Sequence, residues 1–183
     1  VKRLIISDLH LGCVYAKEKQ LLEFLSNNND FDELILAGDI IDFLKIPTFT
    51  KQSAKLFEFV SNFPGRVIYI VGNHDIPFRP CIGNKMFGLE FVEKWEFEEA
   101  NKKFRIEHGD RYESGIIHRK ALIKIISVFQ DALERLFSWN LSAWWQHLFE
   151  NKKKAKRIWD ILQWNEDADV FIMGHNHEPE VVI

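Results

Sequence analysis

Apolar, largely β-branched runs recur along the chain at Leu4-Ile5-Ile6, Leu34-Ile35-Leu36, Val67-Ile68-Tyr69-Ile70-Val71, Phe104-Arg105-Ile106 and Val170-Phe171-Ile172-Met173, and each one ends at a short polar block. Runs of this kind read as buried strands. Leu21, Leu22 and Leu25, and later Leu56, Phe59 and Val60, repeat at helical spacing. They predict helices over roughly 16–27 and 51–62. Strands alternating with helices from Val1 to about Val71 imply βαβ units and a largely parallel sheet. Phe91 to Phe97 and Phe104 to His108 read as two more strands, joined by the polar turn Asn101-Lys102-Lys103 into a hairpin of a second sheet.

The rhythm breaks over residues 111–166, where no strand-like run occurs. Leu122, Ile125, Phe129, Ala132 and Leu136 keep helical spacing, as do Leu141, Trp144, Trp145 and Leu148, and Ile158, Ile161 and Leu162 predict a third helix. The stretch reads as a helical insertion between two polar blocks. Five of the six Trp fall within it, between Trp139 and Trp164. A Trp- and Leu-rich helical pair commonly forms a packed core. Because this one joins directly to polar blocks at both ends, it is expected to overhang whatever those blocks build. The run Lys152-Lys153-Lys154-Ala155-Lys156-Arg157 reads as a solvated helix face; beside apolar surface it also suits contact with anionic lipid or a diphosphate.

Composition bounds the function classes. The 183 residues, 46% hydrophobic and 28% charged, suffice for one domain with a sizeable core. A net charge of -3 provides no basic field for nucleic acid, and no apolar run reaches membrane-spanning length. Val1-Lys2-Arg3 leads straight into a strand, so no signal peptide is expected, and the absence of an initiator Met points to residues upstream. Val181-Val182-Ile183 reads as the start of a further strand, with one or two more expected beyond it. Cys13 and Cys81 lack metal-type spacing and read as reduced thiols of a cytoplasmic protein, Cys13 as a small buried residue. Nothing in the pattern specifies an oligomeric state.

The polar blocks carry the chemistry. They are Asp8-Leu9-His10, Gly38-Asp39-Ile40-Ile41-Asp42, Gly72-Asn73-His74-Asp75, His108-Gly109-Asp110 and Gly174-His175-Asn176-His177. Ligand sites of open α/β sheets lie at the carboxyl ends of strands, where all five blocks fall. Taken singly, an Asp or Asn after a strand forms a turn or caps a helix, and a lone His is structural. Here five of the seven His sit in these blocks, while His118 and His147 lie in the insertion and read as surface or packing residues. A carboxylate able to bridge, together with His nitrogens and Asp or Asn oxygens, is the donor mixture of a two-metal site. Two cations ~4 Å apart clamp the attacking and leaving oxygens of a phosphoryl displacement. The mixture suits Mn, Fe or Zn better than Ca or Mg.

In this order the blocks resemble the calcineurin-like metallophosphoesterase superfamily, whose pattern of D-x-H, G-D-x-x-D, G-N-H-D, H-G-D and G-H-x-H is matched without substitution over residues 8–177. The resemblance implies a four-layer α-β-β-α sandwich, here with a helical cap at about 111–166, over a single domain of residues 1–183. It implies that Asp8, His10 and His177 bind a first metal, that Asn73, His108 and His175 bind a second, and that Asp39 bridges them. His74, oriented by Asp75, would face the leaving group as general acid or transition-state stabiliser. Asp42 and Asp110 would hold ligand geometry. The implied reaction is hydrolysis of a phosphate ester or anhydride by a hydroxide bridging two divalent ions, Mn foremost.

Ser7-Asp8-Leu9-His10-Leu11-Gly12, Gly38-Asp39-Ile40-Ile41-Asp42-Phe43, His108-Gly109-Asp110 and Gly174-His175-Asn176-His177-Glu178-Pro179 are also similar to the branch containing UDP-2,3-diacylglucosamine pyrophosphohydrolases of lipid A synthesis. The insertion sits where that branch carries a helical lid forming an apolar slot for acyl chains. A nucleotide-linked lipid diphosphate is therefore the expected substrate, with peripheral membrane contact through the cap. The branch has Arg where this chain has His74, and its polar motif after H-G-D is not matched by Arg111-Tyr112-Glu113-Ser114. A soluble phosphodiesterase or phosphomonoesterase is the alternative expectation. A non-catalytic scaffold on the same fold would have lost metal ligands, and this chain has lost none.

Overall fold

The computed structural model describes residues 1–112, 120–137, 141, 167–175 and 177, without the side chains of 120–124. The βαβ rhythm appears as β1 (Arg3–Ile6), α1 (Glu18–Asn27), β2 (Glu33–Ala37), α2 (Lys51–Ser61) and β3 (Arg66–Ile70). β4 (Lys85–Met86) and β5 (Leu89–Val92) complete a first sheet of order β1-β2-β3-β5-β4, parallel except for the β4–β5 pair. The second sheet contains β6 (Lys94–Glu99), β7 (Lys102–Glu107) and β8 (Val170–Met173), with β6 and β7 antiparallel and β8 parallel to β7.

Alternate residues of the central strands face opposite ways, as a pleated strand requires. Leu34, Leu36, Val67 and Tyr69 join a core with Leu25 of α1 and Leu56 of α2. Ile35, Ala37, Ile68 and Ile70 face the second sheet, where they meet Ile106, Trp95, Phe97 and Ile172. Burial on both faces explains why these strands read as unbroken apolar runs. The described residues thus form helices, sheet and sheet in three layers. α2 begins with a capping box, in which Thr50 accepts from the Gln52 and Ser53 amides and Ser53 accepts from the Thr50 amide. The buried Glu18 carboxylate accepts from both hydroxyls, tying α1 to α2.

The structure corrects the sequence reading in two places. Phe91 and Val92 belong to β5 of the first sheet, so the hairpin starts only at Lys94. Its tight turn falls at Ala100-Asn101, with φ of 52° and 59°; paired left-handed residues match the twist of antiparallel strands. In the insertion, the predicted first helix exists as α3 (Lys120–Phe137), but its faces are inverted. Ile125, Phe129 and Leu136 are 67%, 66% and 75% exposed, whereas Asp131 and Glu134 are buried. The inward face is held by polar contacts: Lys45 Nζ donates to Glu134 at 3.0 Å, and Arg135 reaches Thr48 Oγ1 and the Ile46 carbonyl. The expected second and third helices, His118, His147, Trp144, Trp145, Ile158, Leu162 and the strand start at 181–183 lie outside the described residues. No helix among the described residues is long and apolar enough to cross a membrane.

Candidate metal centre

The blocks converge because strands of both sheets deliver them to one edge. β1 leads into Asp8 and His10, β2 into Asp39 and Asp42, β3 into Asn73, His74 and Asp75, β7 into His108, and β8 into His175 and His177. The loops are cross-linked through their backbones: the Asp8 amide donates to the Gly38 carbonyl, His10 to Asp39 and Leu11 to Ile40. Asp8, His10, Asp39, His175 and His177 all have positive φ, between 45° and 71°. Non-glycine residues seldom adopt that conformation, and it clusters at functional sites where surrounding structure enforces it. Two glycines make room. A Cβ on Gly38 would lie 2.4 Å from the His108 ring, and one on Gly72 would lie 2.3 Å from Asp39 Oδ1.

Among the described residues, three sets of donors lie close enough to hold a cation: Asp8, His10 and His177; Asp39, His108 and His175; and, between them, His10, Asp39 and His74. Within the first, His10 Nε2 lies 3.2 Å from His177 Nε2, which in turn is 3.3 Å from Asp8 Oδ1. Within the second, His108 Nδ1 donates to the Ala37 carbonyl at 3.1 Å. That contact turns Nε2 toward two oxygens, Asn73 Oδ1 and Asp39 Oδ2, each at 3.1 Å. Asp39 Oδ2 is also 4.0 Å from His10 Nε2 and 3.7 Å from His74 Nε2. The 1% exposed Asp39 therefore stands between the two sets.

The electrostatics agree with a site built for positive charge. Burial alone would raise the Asp39 pKa, but the hydrogen bond from His108 and the nearby His74 hold it well below the usual carboxylate range. Burial would likewise lower His108, yet Asp39 and Asp8 lift it to about 9. His10 is driven down to about 4 by burial and by His74, and so keeps a lone pair. Two imidazole nitrogens that face each other, and a ring nitrogen aimed at two oxygens, are satisfied by a proton or by a cation between them. The donor set of imidazole, carboxylate and amide oxygen fits Mn, Fe or Zn.

His74 is held differently from the sequence reading. Its Nδ1 lies 2.7 Å from Asp42 Oδ1 and its amide donates to Asp39 Oδ1 at 2.8 Å. Asp42 thus orients the ring; burial would lower the His74 pKa, but the bond to Asp42 together with the charge of Asp39 raises it. Asp75, expected in that role, is fully buried and accepts instead from the amides of Ile40, Ile41 and Gly72 and from the Tyr69 hydroxyl. It pins the loops after β2 and β3 together. Asp110, expected beside the ligands, meets Arg79 at 3.4 Å.

A cleft of about 760 Å³ opens beside the donors, lined by Asp8, His10, Asp42, His74 and His177, by Leu9 to Leu21 in part, and by Lys45. Cys13, read as simply buried, is half-exposed on its wall. Lys45 is the residue the sequence reading missed. It sits in an otherwise apolar stretch three positions after Asp42, and in the fold it lines the cleft with its ammonium paired to Glu134 at 3.0 Å. Ser7 and Tyr69 were also missed. The Ser7 hydroxyl donates to the Ala37 carbonyl at 2.7 Å, bracing the loop that carries Asp8.

No curated protein matches the chain. Among solved structures, a protein of unknown function from Aquifex aeolicus, AQ665, aligns over 98% of this chain and 81% of its own at a TM-score of 0.51 and 16% identity, a likeness of fold. Residues 1–179 match the calcineurin-like phosphoesterase family. With that match spanning nearly the whole chain, and the donor sets gathered at the carboxyl ends of the strands, the chain belongs to the calcineurin-like phosphoesterases and is a metal-dependent phosphoesterase.

Proposed function

We propose that the chain hydrolyses a phosphate ester or anhydride held at two divalent cations, Mn foremost, and that the substrate is a nucleotide-linked lipid or a similar diphosphate. Asp8, His10 and His177 would hold one ion and Asn73, His108 and His175 the other, with Asp39 shared. The ions would neutralise phosphate charge and lower the pKa of the attacking water. His74, fixed by Asp42, presents Nε2 toward the same space. It would donate a proton to the departing oxygen or bind its developing charge.

The observation that carries this reading is the convergence of two donor sets on the buried Asp39, beside a cleft large enough for a nucleotide-sized ligand. The four-layer sandwich with a cap over residues 111–166 belongs to the same reading. The apolar face that α3 turns outward, at Ile125, Ile126, Phe129, Leu136 and Phe137, supports a cap that meets lipid and a cytoplasmic enzyme peripheral to a membrane.

The test is hydrolysis by the Mn-loaded protein of three substrates: a nucleotide diphosphate-linked lipid, the same compound without acyl chains, and a small chromogenic phosphodiester. Preference for the acylated diphosphate supports the reading. Equal turnover of all three would leave a soluble phosphodiesterase, and no turnover of any would refute it.

A further inference from the structure

We propose that an apolar cavity beneath the cleft is a subsite for a short alkyl or aryl group carried on the organic side of the substrate phosphate. The cavity, about 160 Å³, lies between the first sheet and helices α1 and α2. Its wall includes Leu25, Leu34, Leu56, Val60 and Phe78. Protein interiors pack closely and hold few voids larger than a water molecule, and this space, partly open to the surface, cuts into the main core. Its lining cannot host water well, since a buried water takes about two to four polar partners. Among the described residues, the polar side chains on the wall are Ser61, at the exposed end of α2, and Tyr69, whose hydroxyl already donates to Asp75. Cavities of roughly 150 Å³ lined in this way take benzene-sized apolar ligands.

Its position links it to the phosphate site. Leu9, Leu11 and Leu21 line both the cavity and the metal-side cleft. They form the partition between the two spaces, and Leu9 and Leu21 are only half-buried. Leu9 is the residue between Asp8 and His10. A group passing between Leu9 and Leu21 therefore enters the core while its phosphate stays at those two side chains. The subsite selects esters whose organic part has an apolar arm of about six carbons or one ring, the size of guest such a volume admits. The inference rests on the phosphoesterase reading above.

The test uses the Mn-loaded protein and a series of alkyl p-nitrophenyl phosphates with methyl, butyl, hexyl and decyl arms. KM is expected to fall about fourfold per methylene, the transfer value for burying CH₂, to level off near six carbons, and to leave kcat nearly constant. Val60→Phe and Leu25→Phe fill the far end of the cavity and should flatten the series while sparing the methyl ester. In parallel, toluene should raise the Tm of the wild type and not of either variant. Hydrolysis of all four esters with one common KM would overturn the subsite, as would a toluene shift that survives both substitutions. Absence of hydrolysis would refute the phosphoesterase reading instead, and the toluene measurement would then decide the cavity by itself. If either variant fails to fold, the wild-type series decides.

Discussion

Replacing Asp75 by Ala tests whether the carboxylate of the Gly72-Asn73-His74-Asp75 block acts on chemistry or on architecture. Its two oxygens accept from three backbone amides, Ile40 at 3.3 Å, Ile41 at 3.0 Å and Gly72 at 3.2 Å, and from the Tyr69 hydroxyl at 2.8 Å. Hydrogen bonds to a charged group contribute roughly 1.5–3 kcal/mol each. A simple sum for four would come to roughly 6–12 kcal/mol, comparable to the whole stability of a domain. Two effects reduce it. Burial opposes the ionised carboxylate and raises its pKa, so the native contacts start from a desolvation cost. A water admitted to the vacated space would also pair with some of the stranded donors. The remaining loss is about 3–5 kcal/mol, the range for breaking a buried charged network by removing one partner. At roughly 2–4 °C per kcal/mol for a chain of this size, Tm should fall by about 6–20 °C. Tyr69→Phe, which deletes one donor to that carboxylate, should cost only about 1.5–3 kcal/mol. Thermal and denaturant melts on both variants measure this. A stable Asp75→Ala protein with depressed kcat would refute the architectural role and return Asp75 to the reaction.

Asp39→Asn should lower both metal content, read by elemental analysis, and turnover; two retained ions with near-normal hydrolysis would rule out a shared ligand. His74→Ala should keep its metal while losing ~10²–10⁴-fold in kcat, the usual worth of a general acid, with the largest loss for poor leaving groups. Asp42→Asn should follow His74→Ala at smaller amplitude, because it loosens the ring without removing it; equal losses across leaving groups would favour charge stabilisation over proton donation. Glu134→Ala strands the Lys45 ammonium, 8% exposed, in the protein and should destabilise by about 3–5 kcal/mol, whereas Lys45→Met combined with Glu134→Leu should recover most of that in a denaturant melt.

Much of this protein is legible in one dimension because its determinants are local. A strand buried on both faces needs a continuous apolar run, so β2 and β3 stand out at once. A donor must follow immediately where such a strand ends, so the spacing of Asp8, Asp39, Asn73, His108 and His175 mirrors the strand order. Tertiary structure decided what depends on residues distant in the chain. That Asp42 and not Asp75 holds His74 follows from the crossing of the loops after β2 and β3, since neighbours in sequence need not point the same way. The amphipathic pattern of α3 marks a helix but carries no sign. Its polar face turns inward because Lys45 and the Ile46–Thr48 loop offer Glu134 and Arg135 better partners than water does, and no local pattern encodes that pairing. The cavity beneath Leu9 is likewise a property of how α1, α2 and the sheet meet, because a void is defined by side chains that fail to touch, and every one of them reads as ordinary core in the sequence.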